Sequence, residues 1–245
     1  MGGLDVLAVA AHPDDAEVGV GGALILAADA GRRVGIVDLT RGEAGTRGTV
    51  GERQHESERA GKLLGLHTRS TLGWPDGEVG TRPEHRLALV ELLRDLRPRV
   101  VLAPYPQDRH PDHAAAGRLV REACFLSRVA KIGDGAPHTV DRLYHYMLHE
   151  PFTPSFVVDV SSVWERKMEA LTAYESQFGA GSPDAVTEIG NPWFLRYLEA
   201  RAIVHGAMVG ARYGEPYHHL GPALADGLPG LAPPPDGPRP YNMFF

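Results

Sequence analysis

A chain of 245 residues, 43% hydrophobic and 23% charged, has the length and composition of one large α/β domain or two small ones. Its formal net charge of -6 argues against general nucleic-acid binding, which requires a basic surface. No apolar run approaches the ~20 residues that a membrane span requires, and the single cysteine, Cys124, excludes an intrachain disulfide.

Short runs rich in valine and leucine predict buried parallel strands. The strands are expected at 4–11, 33–39 and 99–105, with more mixed runs near a sheet edge at 142–148 and 156–160. Helices are expected between or after them at 21–31, 52–66, 83–96, 113–126 and 163–178. This alternation predicts an α/β fold, with a mostly parallel sheet that has helices on both faces.

The chain 1–245 is interpreted as a single domain, because neither a linker nor an internal repeat interrupts it. A proline- and glycine-rich tail, at about 221–245, is expected to be irregular. The opening MGGLDVLAVAAHPDD lacks the basic start and cleavage site of a signal peptide, so we expect a cytoplasmic protein.

The tetrad His12-Pro13-Asp14-Asp15 directly follows the first predicted strand, where ligands bind in open α/β sheets. His12 and Asp15 can offer a nitrogen and an oxygen to one metal ion, and Asp14 can take a proton from water as a general base. The alternative is a turn whose carboxylates only cap the next helix.

A second motif, Asp108-Arg109-His110-Pro111-Asp112-His113, follows the strand at 99–105. His113 supplies a third metal ligand, which completes the count for a catalytic zinc site with one open position. His110 can stabilise an oxyanion or protonate a leaving amine, and Asp112 can orient its ring. With 12 histidines and one cysteine in the chain, the ligands are imidazole and carboxylate, which suit Zn²⁺ and also Fe²⁺ or cobalt.

Both motifs resemble those of the LmbE-like (PIG-L) zinc N-deacetylases, and the likeness runs over most of the chain. Within that family the chain looks most similar to the deacetylases of bacillithiol biosynthesis, which act on N-acetylglucosaminyl-malate. The segments that carry this likeness are AHPDDAEVGVGG (11–22), DLTRGEAGTRGT (38–49), LGWPDG (72–77), APYPQDRHPDH (103–113), FVVDVS (156–161) and AYESQF (173–178).

The resemblance implies a Rossmann-like fold, a homo-oligomer and hydrolysis of the acetamide of a small amino-sugar conjugate. His12, Asp15 and His113 would hold zinc, Asp14 would be the base, and His110 backed by Asp112 would assist. Arg53 and Arg109 are candidate contacts for the carboxylates of an appended malate. A tyrosine that helps the oxyanion in relatives aligns loosely with Phe194, near Tyr197.

Three other functions are weighed against this one. A dinucleotide-binding protein would use Gly19, Gly21 and Gly22 after the first strand, but their spacing is not G-x-G-x-x-G and acidic residues in that turn would repel phosphate. A non-catalytic metal- or sugar-binding module would give no reason for Asp14, His110 and Asp112. Another metallohydrolase chemistry would use the same ligands.

Overall fold

A computed structural model describes residues 3–179 and 187–222. These residues form a seven-stranded sheet with the strand order β3-β2-β1-β4-β5-β7-β6. The strands are β1 (Val6–Ala10), β2 (Val34–Thr40), β3 (Thr68–Trp74), β4 (Val100–Pro104), β5 (Arg142–Tyr146), β6 (Phe156–Asp159) and β7 (Gly214–His218). The predicted tail lies almost wholly outside the described residues.

Seven α-helices accompany the sheet in the described ranges. They are α1 (Asp15–Asp29), α2 (Val50–Leu64), α3 (Pro83–Leu96), α4 (Pro111–Leu126), α5 (Trp164–Thr172), α6 (Glu175–Phe178) and α7 (Pro192–Val209). Several of them begin with recognisable caps: α2 starts with a capping box of Thr49 and Glu52, and α4 begins with a proline in its first turn.

The first five strands are parallel, whereas β7 runs antiparallel to both β5 and β6. β1 is interior, since Val6 is in register with Val34 on one side and with Val100 on the other. The chain thus leaves β1 towards β2 and later returns to place β4 on the opposite side. Ligands of open α/β sheets bind where the strand order reverses in this way, beyond the carboxyl ends of the strands.

Alternate residues of β1 enter the two faces of the sheet, as the two-residue period of a strand requires. Ala8 and Ala10 belong to a core shared with α1, α2, α5 and α7. Leu7 and Val9 belong to a second core shared with α3 and α4. The predicted α/β fold with helices on both faces is confirmed.

Helix α1 begins at Asp15, six residues before the expected 21. Its glycines allow it to pack closely on the sheet, because a Cβ at Gly19 would lie 2.3 Å from the Tyr146 ring and one at Gly22 would lie 2.6 Å from Val160. The glycines considered above for a dinucleotide site therefore have a packing role within a helix.

Other expectations differ in detail. β5 was expected near an edge but is interior, while β6 does lie at an edge. The helix expected at 163–178 is divided into α5 and α6 by a break at Ala173 and Tyr174. β3 and β7 were not anticipated. In the two described ranges, no helix has the length and apolarity needed to cross a bilayer.

Candidate metal centre and active site

The two polar motifs meet at the carboxyl edge of the sheet, as predicted. His12 follows β1 and Asp15 opens α1, while His113 lies in the first turn of α4 after β4. The backbone turns sharply at Asp14, whose φ of 111° is unusual for any residue other than glycine. Such strained backbone is concentrated at functional sites, and here it directs two successive carboxylates into one buried cluster.

Two imidazole nitrogens and both oxygens of one carboxylate lie close together in this cluster. Nδ1 of His12 lies 3.4 Å from Oδ2 of Asp15 and 3.3 Å from Nε2 of His113, and Nε2 of His113 lies 3.2 Å from Oδ1 of Asp15. Ligand atoms bound at ~2.0–2.2 Å to a tetrahedral ion are roughly 3.3–3.6 Å apart. The three predicted ligands therefore fit one divalent cation with a fourth position open. A ring nitrogen of His110 is within 4.8 Å of nitrogens on His12 and His113, so His110 borders that position.

Carboxylates bind the outer nitrogens of both imidazoles. Nε2 of His12 lies 3.2 Å from Asp112 and 3.2 Å from Asp76, and Nδ1 of His113 lies 3.1 Å from Asp108. Such partners fix the orientation of a ligating histidine and raise its basicity. The rings are thus held with Nδ1 of His12 and Nε2 of His113 pointing inwards.

The structure bonds the Asp112 carboxylate to His12 and not to the His110 ring. The Asp112 carboxylate also accepts the backbone N–H groups of Gly77 and Val79. His110 instead caps α4, where its Nδ1 accepts the backbone N–H of Asp112 at 3.2 Å. A neutral ring that accepts at Nδ1 carries its proton on Nε2, and burial lowers the pKa of His110. His110 is therefore a neutral donor, not an imidazolium.

Asp14 is the carboxylate suited to proton transfer. Burial, assisted by the nearby negative charge of Asp15, raises its pKa to about 7, although the positive charge of Arg53 opposes this rise. A general base works best when its pKa lies near the operating pH. By contrast, burial of Asp15 is outweighed by the His113 and His12 imidazoles together, which keep its pKa well below the usual value, as a metal ligand requires.

Arg53 has contacts that the sequence did not indicate. Its guanidinium is buried, lies 3.1 Å from Asp14, and donates to the backbone carbonyls of Gly42 and Pro13. Arg53 therefore ties the loop after β2 to the strained turn and fixes the Asp14 carboxylate. It also lines the site cavity, so its predicted contact with a substrate anion stays a prediction.

Arg109 lies at the outer edge of the site. Its exposed guanidinium forms an ion pair with Glu188, and Nη2 is 3.4 Å from Nδ1 of His149. It does not line the cavity that contains Asp14, but it lines the neighbouring one. Its predicted contact with substrate also stays a prediction.

A cavity of about 440 Å³ contains the cluster, within the usual size range of small-molecule sites. Its floor is formed by the metal-ligand cluster and Asp14, and its walls include Ala44, Leu148 and Phe194. Phe194 thus faces the site without a hydroxyl, and Tyr197 faces the neighbouring cavity. Neither residue supplies an oxyanion-stabilising hydroxyl in this arrangement.

Sequence reasoning missed three residues of the site. Asp76 lies in the Trp74-Pro75-Asp76-Gly77 turn, within a segment quoted for the family resemblance but given no role in the site. Asp108 was part of a quoted motif but had no assigned role, and His149 stacks on His113 with 5.3 Å between the ring centroids. Asp108 could have been identified by its position in the loop after a buried strand, five residues before His113. Asp76 and His149 gave no comparable local signal.

Comparisons with known proteins find similarity to deacetylases. The family model for PIG-L, a GlcNAc-PI de-N-acetylase, matches residues 7–124. The chain is 34% identical to the diacetylchitobiose deacetylase of Thermococcus kodakarensis, over 86% of this chain and 80% of that protein. It is 29% identical to a probable N-acetyl-alpha-D-glucosaminyl L-malate deacetylase 2 of Bacillus cereus, over 76% of this chain and 89% of that one.

A solved structure also matches the fold over most of both chains. The crystal structure of a conserved protein from Thermus thermophilus superimposes with a TM-score of 0.85 and 43% identity, and the match covers 93% of this chain and 98% of that one. Taken with the relative that is 34% identical over most of both chains, these matches show that the chain belongs to the PIG-L (LmbE-like) deacetylase family.

Proposed function

We propose that the chain hydrolyses the acetamide of an N-acetylglucosamine conjugate and releases acetate and a free sugar amine. The observation that carries the proposal is the position of Asp14: a buried carboxylate with a pKa of about 7, adjacent in the chain to one of three residues whose donor atoms fit a tetrahedral cation. A protein that only bound metal or sugar would have no use for such a base.

The cation is proposed to be Zn²⁺, held by Nδ1 of His12, a carboxylate oxygen of Asp15 and Nε2 of His113. Two imidazoles and a carboxylate are a common ligand set for catalytic zinc, and Fe²⁺ accepts the same ligands. When bound, the ion would polarise the amide carbonyl and acidify the attacking water.

The remaining chemistry falls to side chains of the chain itself. Asp14 takes a proton from water as the water oxygen attacks the acetamide carbon. The Nε2–H group of His110 donates a hydrogen bond to the carbonyl oxygen as negative charge develops there. Asp14, now protonated, then gives its proton to the sugar nitrogen as the C–N bond breaks. One residue with a pKa near 7 can perform both transfers.

Two substrates fit this proposal. N,N'-diacetylchitobiose is favoured by the similarity to the diacetylchitobiose deacetylase of Thermococcus kodakarensis, which is 34% identical to this chain. N-acetylglucosaminyl-malate, the substrate expected from the sequence, is the second candidate, supported by the more distant Bacillus cereus relative. Both place an N-acetylglucosamine unit at the metal and differ only in the attached group.

The test is acetate release from both substrates by the zinc-loaded protein and by Asp14→Asn. Asparagine tolerates the left-handed backbone of this position, so the variant keeps the turn and the ligands but loses the base. We expect zinc content equal to that of the parent and a kcat lower by at least about 100-fold.

Asp29→Asn is the matched control, because Asp29 lies on the same helix in an exposed pair with Arg166. It should match the parent in both measurements. Nearly full activity of Asp14→Asn would refute the assignment of the base, and absence of acetate release from every N-acetylglucosamine compound would refute the proposed function.

Two further interpretations stay predictions. We propose that the whole chain is one domain, because the seven strands of the described residues belong to one sheet. The homo-oligomer expected from the family resemblance is tested by light scattering coupled to size-exclusion chromatography, where a monomer mass of 26.5 kDa would contradict it.

A further inference from the structure

A second cavity of about 480 Å³ adjoins the catalytic one. The two share His149 and Phe194 as lining residues, so a ligand that extends past these side chains passes from one cavity into the other. The second cavity contains neither Asp14 nor any of the three metal ligands. It is therefore placed to hold the part of a substrate that does not react.

The start of α7 forms the aromatic wall of this second cavity. Asn191 caps the helix by accepting the backbone N–H of Trp193 at 3.0 Å. Trp193 and Tyr197 are four residues apart and so share one face of the helix, and their exposed fractions are 68% and 48%. Phe194, the residue after Trp193, is turned inwards and is buried.

Exposure of this size is unusual for a tryptophan, and it leaves indole surface open to a ligand. The guanidinium carbon of Arg196 lies 4.9 Å from the centroid of the Trp193 ring, which covers one face by a cation–π contact and steadies the ring. The side chain is thus restrained while much of it stays accessible. Pockets for small molecules combine such apolar and aromatic walls with a few polar groups that fix orientation.

The charged residues of the second cavity indicate what it can hold. Arg109 carries one positive charge, and Glu150 and Glu188 carry two negative charges, so the lining has a formal charge of −1 from these three residues. The guanidinium of Arg109 is already paired with Glu188. A dicarboxylate would meet net repulsion here, whereas a neutral ring with hydroxyl groups would find donors and acceptors.

We propose that this cavity is the subsite for a second, uncharged pyranose ring linked to the N-acetylglucosamine unit. The apolar C–H face of that ring packs against Trp193 and Tyr197, and its hydroxyl groups bond to the charged groups of the Arg109–Glu188 pair. This inference rests on the proposed function and adds to it: Trp193 and Tyr197 determine specificity for a disaccharide over a monosaccharide, and the acidic residues of the lining disfavour an acidic conjugate.

The test compares kcat/KM for N,N'-diacetylchitobiose and for N-acetylglucosamine in the zinc-loaded protein. Trp193→Ala and Tyr197→Ala should each lower the ratio of the two values about tenfold, which corresponds to about 1.4 kcal/mol. Trp193→Phe, which keeps a ring, should retain most of the ratio. The matched control is Phe125→Ala, which removes an aromatic residue of similar exposure, 56%, from the distant end of α4.

Equal losses on both substrates, or no loss in the alanine variants, would overturn the subsite. Equal losses together with a smaller molecular mass in light scattering would instead identify this face as an interface between copies of the chain.

Failure of the proposed function is separable from failure of the subsite. If the parent releases no acetate, binding of N,N'-diacetylchitobiose is followed by intrinsic fluorescence, because Trp74 and Trp164 are buried and only Trp193 is exposed among the three tryptophans. A change in emission that Trp193→Phe abolishes supports the subsite without any catalysis. No change in the parent overturns it.

Discussion

The Asp112 carboxylate lies 3.2 Å from Nε2 of His12, although the two residues are 100 positions apart in the chain. The same carboxylate accepts backbone N–H groups of the 75–79 turn. Asp112 therefore links the loop after β1, the loop after β3 and the start of α4, and it fixes the ring that would present Nδ1 to a metal.

Asp112→Asn should weaken zinc binding by about 10–100-fold, because the partner of a ligating histidine contributes that much to affinity. The amide keeps the shape of the carboxylate but loses its charge. The measurement is competition with a chromophoric chelator. Asp141→Asn, an exposed aspartate between β4 and β5, is the control and should bind zinc as the parent does; equal affinities of the two variants would refute the role of Asp112.

Zinc affinity should also fall as the pH falls. Burial opposes the charged form of His113, but Asp15 and Asp108 outweigh burial and raise its pKa to about 9. Hydrogen bonds with Asp112, Asp15 and Asp76 raise the pKa of His12 in the same way. Without metal, both rings therefore hold a second proton at pH 7, and a cation must displace both protons.

Two displaced protons predict a decrease in affinity of about 100-fold for each pH unit below neutrality. The measurement is a set of chelator competitions between pH 6 and pH 7, corrected for the protonation of the chelator itself. Affinity that stays constant over this range would mean that the rings are already neutral in the metal-free protein.

The sequence predicted those parts of the molecule that are specified by patterns of neighbouring residues. Valine- and leucine-rich runs predicted β1, β2 and β4, and each motif could be placed at the end of a strand. Parallel strands bring their carboxyl ends to one edge, so His12 and His113 were expected to meet although they are 101 residues apart. The choice of the three proposed ligands needed no information beyond their residue types and the sheet topology.

The remaining features depend on tertiary contacts. β7, with the sequence GEPYH, has little strand propensity of its own and forms because β5 and β6 flank it. The role of Asp112 was assigned to the nearer His110, since sequence separation gave no reason to prefer a residue 100 positions away. The pKa of Asp14 likewise depends on its burial and on Arg53, which comes from α2.

A buried ion pair holds the centre of α1 against the later part of the chain. Nζ of Lys167 lies 2.6 Å from Glu215 and 3.1 Å from the Val18 carbonyl oxygen. The Glu215 carboxylate also accepts the backbone N–H groups of Gly22 and Ala23. The pair thus joins α5 and β7 to the helix that begins at the metal site.

Lys167→Met should lower the free energy of unfolding by about 3–5 kcal/mol, because it leaves a buried carboxylate without its counter-charge. Urea denaturation of the metal-free protein measures this change. The matched control is Arg166→Met, which removes the neighbouring cation from an exposed pair with Asp29 and should cost less than about 1 kcal/mol. Similar losses of unfolding free energy in the two variants would show that the buried Lys167–Glu215 pair stabilises the protein no more than the exposed pair does.

Glu188→Gln should change which substrate the protein prefers. In the parent, Glu188 neutralises Arg109 at the mouth of the second cavity. The guanidinium that the sequence analysis proposed as a contact for malate is therefore already paired with Glu188. Removal of the Glu188 charge changes the formal charge of Arg109, Glu150 and Glu188 from −1 to 0 and frees Arg109 for an anionic ligand.

We therefore expect kcat/KM for N-acetylglucosaminyl-malate to rise about fivefold relative to that for N,N'-diacetylchitobiose, since a unit charge at contact distance contributes about 1 kcal/mol in a well-hydrated site. Glu165→Gln, on the surface of α5, removes the same charge far from the cavity and should leave the ratio as it is. If Glu188→Gln behaves like Glu165→Gln, the acidic lining does not select against a dicarboxylate, and the preference for an uncharged ring must come from Trp193 and Tyr197 alone.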